Sequence, residues 1–186
     1  MSIINEFLNY INTSLNQDCK LRNDGILEIQ LTNKSLYDNI LLLRDDHKTR
    51  CKILTDVFAV DYPDRDLRFE LLYMLISIYY NIRICCKVSL NKGDHVPSIT
   101  QIFSTAEWFE REVFDMYGII FDNHPDLRRI LTDYGFHGHP MLKDFPLSGY
   151  TEVKYDVATQ SVIYQPVNLS QDFRNFDFLS PWKGQK

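Results

Sequence analysis

Acids, bases and histidines crowd one part of this chain. Glu107, Glu110, Arg111, Glu112 and Asp115 come first, followed by His124, Asp133, His137, His139 and Asp144. Two kinds of chemistry use such a set: paired carboxylates for general acid–base work, and imidazoles with carboxylates for holding a metal ion. The spacing argues against both. Carboxylates one helical turn apart are far commoner as ion-pair members than as catalytic pairs. The run "HGHP" has the glycine and proline of a turn rather than the HxxxH of a helical metal site. No GxSxG, phosphate-binding loop or GxGxxG accompanies them. An independent metal-dependent enzyme is therefore the remote reading.

The elements that must position these residues are legible nearby. In "STAEWFEREVFDMYG" Ser104 stands three residues before Glu107, the capping-box pattern that starts a helix. On that helix Phe109, Val113 and Met116 share a face, with Ile120 joining if it extends so far, and this is the expected core stripe. Glu107, Arg111 and Asp115 follow i,i+4 spacing, so Arg111 is expected to bridge to either acid. Glu112 and Asp115 flank the stripe beside Trp108. An unpaired carboxylate there costs several kcal/mol or takes up a proton, so each needs a partner. Arg128 and Arg129 follow a proline-containing loop that turns the chain back. We expect Glu112 or Asp115 to pair with one of them across partly buried surface.

The 186 residues suffice for one domain with a real core and an appended arm. Hydrophobic content of 45% with 24% charged residues describes a folded chain rather than a disordered one. A net charge of -5 without a lysine or arginine cluster excludes a nucleic-acid partner. The longest apolar run, "LLYMLISIYY", is about half the roughly 20 residues of a membrane-spanning helix. The N-terminus lacks the basic and apolar regions of a secretory signal, and its acids and lack of arginine do not suit a presequence. Cys19, Cys51, Cys85 and Cys86 fit neither zinc nor iron–sulfur spacing. They read as reduced structural thiols, Cys85 and Cys86 pointing to opposite faces of one strand.

Periodicity gives a helix over 3–15, a strand over 25–31, a helix in "SLYDNILLLRDD" and a strand in "CKILTDVFAV". "LRFELLYMLISIYY" and "NIRICCKVSL" form a hairpin. The fold class expected is α+β: a two-layer domain with a mostly antiparallel or mixed sheet and packed helices, over residues 1–120. Residues 121–186 are dense in glycine, proline and aromatics and fit no long helix. They are expected to form an extended, partner-binding arm with one hairpin, from "EVKYDV" and "SVIYQPV". Its aromatics, including Phe136, Phe145, Tyr150, Tyr155, Tyr164, Phe173, Phe176, Phe178 and Trp182, need pockets on another subunit.

"EREVFDMYGIIFDNHPDLRRIL" resembles the signature of the thirty-kilodalton subunit of respiratory complex I, called subunit 9 in organelle genomes and the C subunit in bacteria. Glu110, Arg111, Glu112, Asp115, Met116, Tyr117, His124, Arg128, Ile130 and Leu131 fall at its spacing. The likeness runs on through "LTDYGFHGHPMLKDFPLSGY" to "FRNFDFLSPW", covering roughly residues 55–182. Met141 stands where a leucine is common, and His137 where plant relatives usually carry an acid. The resemblance implies a non-catalytic assembly subunit that binds no flavin, iron–sulfur cluster or metal, FMN and the clusters belonging to other subunits. It implies a place in the peripheral arm against the forty-nine-kilodalton subunit, on the matrix side of the mitochondrial inner membrane or the cytoplasmic face in a bacterium. Phe145, Tyr150, Phe176, Phe178 and Trp182 would be the anchors on that partner. The J subunit of the chloroplast and cyanobacterial quinone oxidoreductase, and a subunit of membrane-bound hydrogenases, share the helix and the "NHP" loop. The "LTDYGFHGHP" continuation and the aromatic arm favour the respiratory subunit. A bias toward Ile, Asn, Phe and Tyr suits an A/T-rich organelle genome.

Overall fold

A computed structural model describes residues 3–15 and 17–171. Helix α1 (Ile3–Leu15) buries Phe7, Ile11 and Leu15, one residue per turn along one side. Strands β1 (Cys19–Leu21) and β2 (Leu27–Leu31) follow, then a 3-10 turn, Asn33–Ser35, whose start is capped by Thr32 accepting from the Ser35 amide. Helix α2 (Leu36–Asp45) buries Leu36, Ile40 and Leu43. The long strands are β3 (Ile53–Asp61), β4 (Phe69–Ser77) and β5 (Ile82–Leu90). Asn81, at φ 52°, helps to make the tight β4–β5 turn, a conformation asparagine tolerates better than most residues.

The five strands make a mixed sheet in the order β1-β2-β5-β4-β3, with β2 parallel to β5 and the other pairs antiparallel. Alternation along the strands sends Leu27, Ile29, Leu71, Tyr73, Leu75, Ile84, Cys86 and Val88 into one core with the helices. The opposite face carries Glu28, Glu70 and Lys87, and Lys87 Nζ lies 3.1 Å from Glu28. Cys85 and Cys86 point to opposite faces as their adjacency requires, and all four thiols are buried and free. Burial pushes the Cys51 thiol up to about 12 and Cys19 to about 11, so neither is a ready thiolate. This is the α+β, two-layer domain expected. No helix among the described residues is long and apolar enough to cross a membrane.

Strand β6 (His95–Pro97) pairs in parallel with β7 (Ile120–Asp122), and helix α3 (Ala106–Tyr117) lies between them in sequence. The capping box does not form. Helix α3 starts two residues after Ser104, at Ala106, and its N-cap, Thr105, makes no side-chain cap bond. A turn already runs through Ile99–Phe103, where the Ile102 and Phe103 amides both donate to the Ile99 carbonyl, and it delivers the chain into the helix without the serine.

The chain divides into two compact units, residues 1–145 and 146–186. The boundary expected at residue 120 is thus displaced, because residues 121–145 are hydrogen-bonded into the first unit through the contacts described below. Within the second unit, β8 (Thr151–Asp156) and β9 (Ser161–Pro166) form the expected antiparallel hairpin. Val153 faces Tyr164 and Tyr155 faces Val162 across one side of it. These four side chains are each 58–59% exposed.

Candidate functional site

Helix α3 carries two wholly buried carboxylates, and the fold treats them in opposite ways. Glu110 lies at the centre of the fully buried stripe, with Ala106 and Val113 on either side, while the expected Phe109 packs half-buried against the core. Its oxygens accept from Ser98 Oγ at 2.7 Å and the Ile99 amide at 2.8 Å. His124 Nε2 lies 3.9 Å away, its side chain also fully buried. That imidazole bridges two segments. Nδ1 accepts from the Asp126 amide at 3.1 Å, which leaves Nε2 to donate to the Glu107 carbonyl, also at 3.1 Å. Burial outweighs the bonds from Ser98 and Ile99 and pushes the Glu110 carboxyl up to about 7.

Asp115 sits in a nest of donors. Oδ2 accepts from the amides of Ile130 at 3.1 Å, Leu131 at 2.8 Å and Thr132 at 2.8 Å, while Oδ1 accepts from Arg129 Nη1 at 2.7 Å and the Thr132 hydroxyl. Burial alone would raise this carboxyl. The bonds from Thr132, Leu131 and Arg129 prevail and hold it well below the usual carboxylate range. The expected acid–arginine pair is therefore present as Asp115 with Arg129. Glu112 is exposed instead.

The loop that supplies those donors is fixed at further points. Arg111 does not bridge Glu107 or Asp115 as its spacing suggested. Its Nε and Nη2 donate to the carbonyls of Arg128 at 3.0 Å and Arg129 at 3.2 Å. Arg129 also donates to the Gly138 carbonyl at 2.9 Å. His139 Nδ1 donates to the Asp115 carbonyl at 2.9 Å, and the Met141 amide to the Met116 carbonyl at 3.1 Å, so residues 139–141 cap the C-terminus of α3. Gly118 ends that helix at φ 79°, and a Cβ there would stand 2.7 Å from His139 Nε2. Gly118→Ala is expected to lower stability by about 1–3 kcal/mol through backbone strain and a displaced imidazole. Thermal melting measures it, and an unchanged midpoint would contradict the cap.

A second clamp was not foreseen. Asp61, at the end of β3, accepts from Arg68 Nε at 2.6 Å and Nη2 at 2.8 Å, and from the Lys143 amide at 2.8 Å. Arg68 in turn reaches Asp144 at 2.9 Å. Arg68 and Asp144 are 76 residues apart in the chain, so no local pattern announces their meeting.

The ten signature positions are spread from the interior to the surface. Glu110, Asp115 and the His124 side chain are interior; Met116, Tyr117 and Ile130 are half-buried; Arg128 is exposed on Asp126; Leu131 is 62% exposed. Among the described residues no group of three or more His, Cys, Asp or Glu side chains is placed to hold a metal ion. Of the proposed anchors, Phe145 packs inside the first unit, its ring over Gly138 and 5.7 Å from that of Phe136. Tyr150 is 65% exposed. Phe176, Phe178 and Trp182, like Phe173, lie outside the described residues.

Residues 29–151 match the model of the respiratory-chain NADH dehydrogenase 30 Kd subunit family. The chain belongs to that family. It is 61% identical over 162 residues to the C subunit of the NADH-quinone oxidoreductase of Wolbachia sp. subsp. Brugia malayi, covering 87% of this chain and 85% of the relative. Identity to the corresponding C subunit of Ruegeria pomeroyi is 53% over 170 residues, covering 90% and 85%. A solved structure of the trypsin-resistant fragment (1-134) of Nqo5 superposes with a TM-score of 0.56 at 25% identity, covering 68% of this chain and all of the fragment. The family signature thus maps onto a helix and the loop clamped to it.

The two carboxylates predict opposite responses to pH. A carboxyl raised from 4.5 to about 7 keeps its proton longer in the folded state, so its contribution falls as pH rises from 4.5 to about 7 and is flat above. Glu110→Gln removes that slope. Relative to the variant, the parent chain should lose up to about 3 kcal/mol between pH 4.5 and 8, read by urea unfolding. Parallel curves would show Glu110 charged throughout. Asp115, held low, stabilises above 3.8 and loses its contribution only below, outside that window.

Proposed function

We propose that this chain is a non-catalytic scaffold subunit of the peripheral arm of NADH:ubiquinone oxidoreductase. It seats its aromatic C-terminal segment on the forty-nine-kilodalton subunit, near the quinone-binding module, and so supports electron transfer from NADH to ubiquinone. The observation that carries this reading is the β8–β9 hairpin. A lone two-stranded hairpin is marginal in water, and this one turns Val153, Tyr155, Val162 and Tyr164 outward on one side. Side chains of those types are what a partner buries.

The signature residues support the same reading. Glu110, Asp115 and His124 are occupied in holding the chain's own backbone, and Arg111 holds two carbonyls. Shape is their product. FMN and the iron–sulfur clusters then belong to other subunits, and the chain lies on the matrix side of the inner mitochondrial membrane or the cytoplasmic face in a bacterium. The chloroplast J-subunit and hydrogenase alternatives gain nothing from the relatives, which are NADH-quinone oxidoreductase subunits. Native purification through a tag on this chain tests the proposal. It should yield a large NADH-oxidising assembly that includes the forty-nine-kilodalton subunit. Recovery of the chain alone, or with stoichiometric metal, would overturn it.

A further inference from the structure

Two titratable side chains, Glu110 and His124, lie together in the interior, and the bonds of the imidazole decide how the pair responds to a proton. His124 Nδ1 accepts from the Asp126 amide at 3.1 Å, so in this arrangement the ring hydrogen sits on Nε2 alone. Nε2 donates to the Glu107 carbonyl at 3.1 Å, while the Glu110 carboxyl stands 3.9 Å from the same nitrogen. Two acceptors therefore compete for one donor. Glu110 has no cation to offset a charge, since among the described residues no lysine or arginine lies within 4.0 Å of it. Tyr73 on β4, with Cys86 opposite it on β5, is wholly buried and by ionising could only add negative charge. Asp61 on β3 is engaged by Arg68, and Asp122 on β7 by His95. On α3, Asp115 is taken by Arg129 and Arg111 by two carbonyls.

The proton has a route out. Ser98 Oγ, 2.7 Å from Glu110, also bonds Thr100 Oγ1 at 2.9 Å, and Thr100 is half-buried. A protonated Glu110 donates to Ser98, which donates on to Thr100. An ionised Glu110 accepts from Ser98 once the hydroxyls turn about, with no oxygen displaced. We propose that Glu110 and His124 form a proton-operated latch between helix α3 and the loop after β7: while Glu110 holds its proton, His124 Nε2 donates to the Glu107 carbonyl, and when Glu110 releases that proton to solvent, the Nε2 hydrogen turns to the carboxylate. A charged acceptor makes the stronger bond. The Glu107 carbonyl loses little, because a carbonyl in the first turn of a helix also accepts the amide four residues on. Because Nδ1 holds the Asp126 amide, the loop follows the ring. Burial, which pushes the Glu110 carboxyl up to about 7, sets the latch to work near neutrality.

Nuclear magnetic resonance tests the latch on the full-length chain with isotope-labelled histidine and glutamate, titrated from about pH 5 to 9 beside the Glu110→Gln variant. In the parent the Glu110 carboxyl signal and the His124 Nε2 hydrogen should shift together with one midpoint near 7, and the Asp126 amide with them. In Glu110→Gln the His124 signals should stay flat. Should that variant fail to fold, the shared midpoint in the parent still decides. A Glu110 carboxyl that titrates while the His124 Nε2 hydrogen stays fixed would overturn the latch, and so would a carboxyl that keeps one state throughout. A His124 transition that persists in Glu110→Gln, with Nδ1 gaining a proton, would show the imidazole titrating on its own and would overturn it as well.

Discussion

Asp115→Ala should lower the stability of the first unit by about 3–5 kcal/mol, the range for removing one side of a buried charged pair. The figure belongs at the upper end of single substitutions because so many groups lose their acceptor together. The amides of Ile130, Leu131 and Thr132, the Thr132 hydroxyl and Arg129 all converge on this carboxylate. Asp115→Asn keeps one oxygen but turns an amino group toward donors, so it should lie between alanine and the parent. Urea unfolding at neutral pH gives the ranking. Below the ordinary aspartate range the parent's advantage should shrink, since protonation takes away the charge the nest was built around. A loss under about 1 kcal/mol for alanine would mean that the loop is held by its other bonds.

How much of this was legible in the residues depends on how far apart the partners lie. The β4–β5 hairpin and the β8–β9 hairpin follow from short-range pattern, and both are where the pattern put them. The pair of Asp115 with Arg129 was also accessible, because an acid beside an apolar stripe needs a cation and the loop returns one within 14 residues. Glu110 misled. A glutamate at a buried helical position is indistinguishable by type from a solvated one until Ser98 and the Ile99 amide are brought beside it. Arg111 misled for a related reason: i,i+4 spacing suggests acids, while the folded loop offers carbonyls nearer at hand. Glycine and proline density over residues 121–186 suggested an extended arm held by a partner rather than by this chain. In fact an irregular segment can be as firmly held as a strand when buried carboxylates satisfy its amides, as Asp115 and Asp61 do here.

The same logic fixes where the chain can be cut. Ending it after Asp133 would remove the His139 and Met141 caps on α3, the Gly138 carbonyl that Arg129 uses, and the Lys143 and Asp144 contacts to Asp61 and Arg68. At about 0.5–1.5 kcal/mol for each bond the loss amounts to a few kcal/mol, a large fraction of a small domain's stability. Ending it after Phe145 removes none of these. The chain 1–145 should therefore give the circular dichroism and cooperative melting of a folded α+β domain, while the chain 1–133 should melt earlier or remain partly unfolded. Both lack the hairpin with its exposed valines and tyrosines, so neither should enter the NADH-oxidising assembly at more than a small fraction of the parent's level. Native gels of the source membranes read the second half. Normal incorporation of 1–145 would show that the C-terminal segment is dispensable for assembly. Equal stability of the two truncations would show instead that residues 134–145 contribute little to the fold.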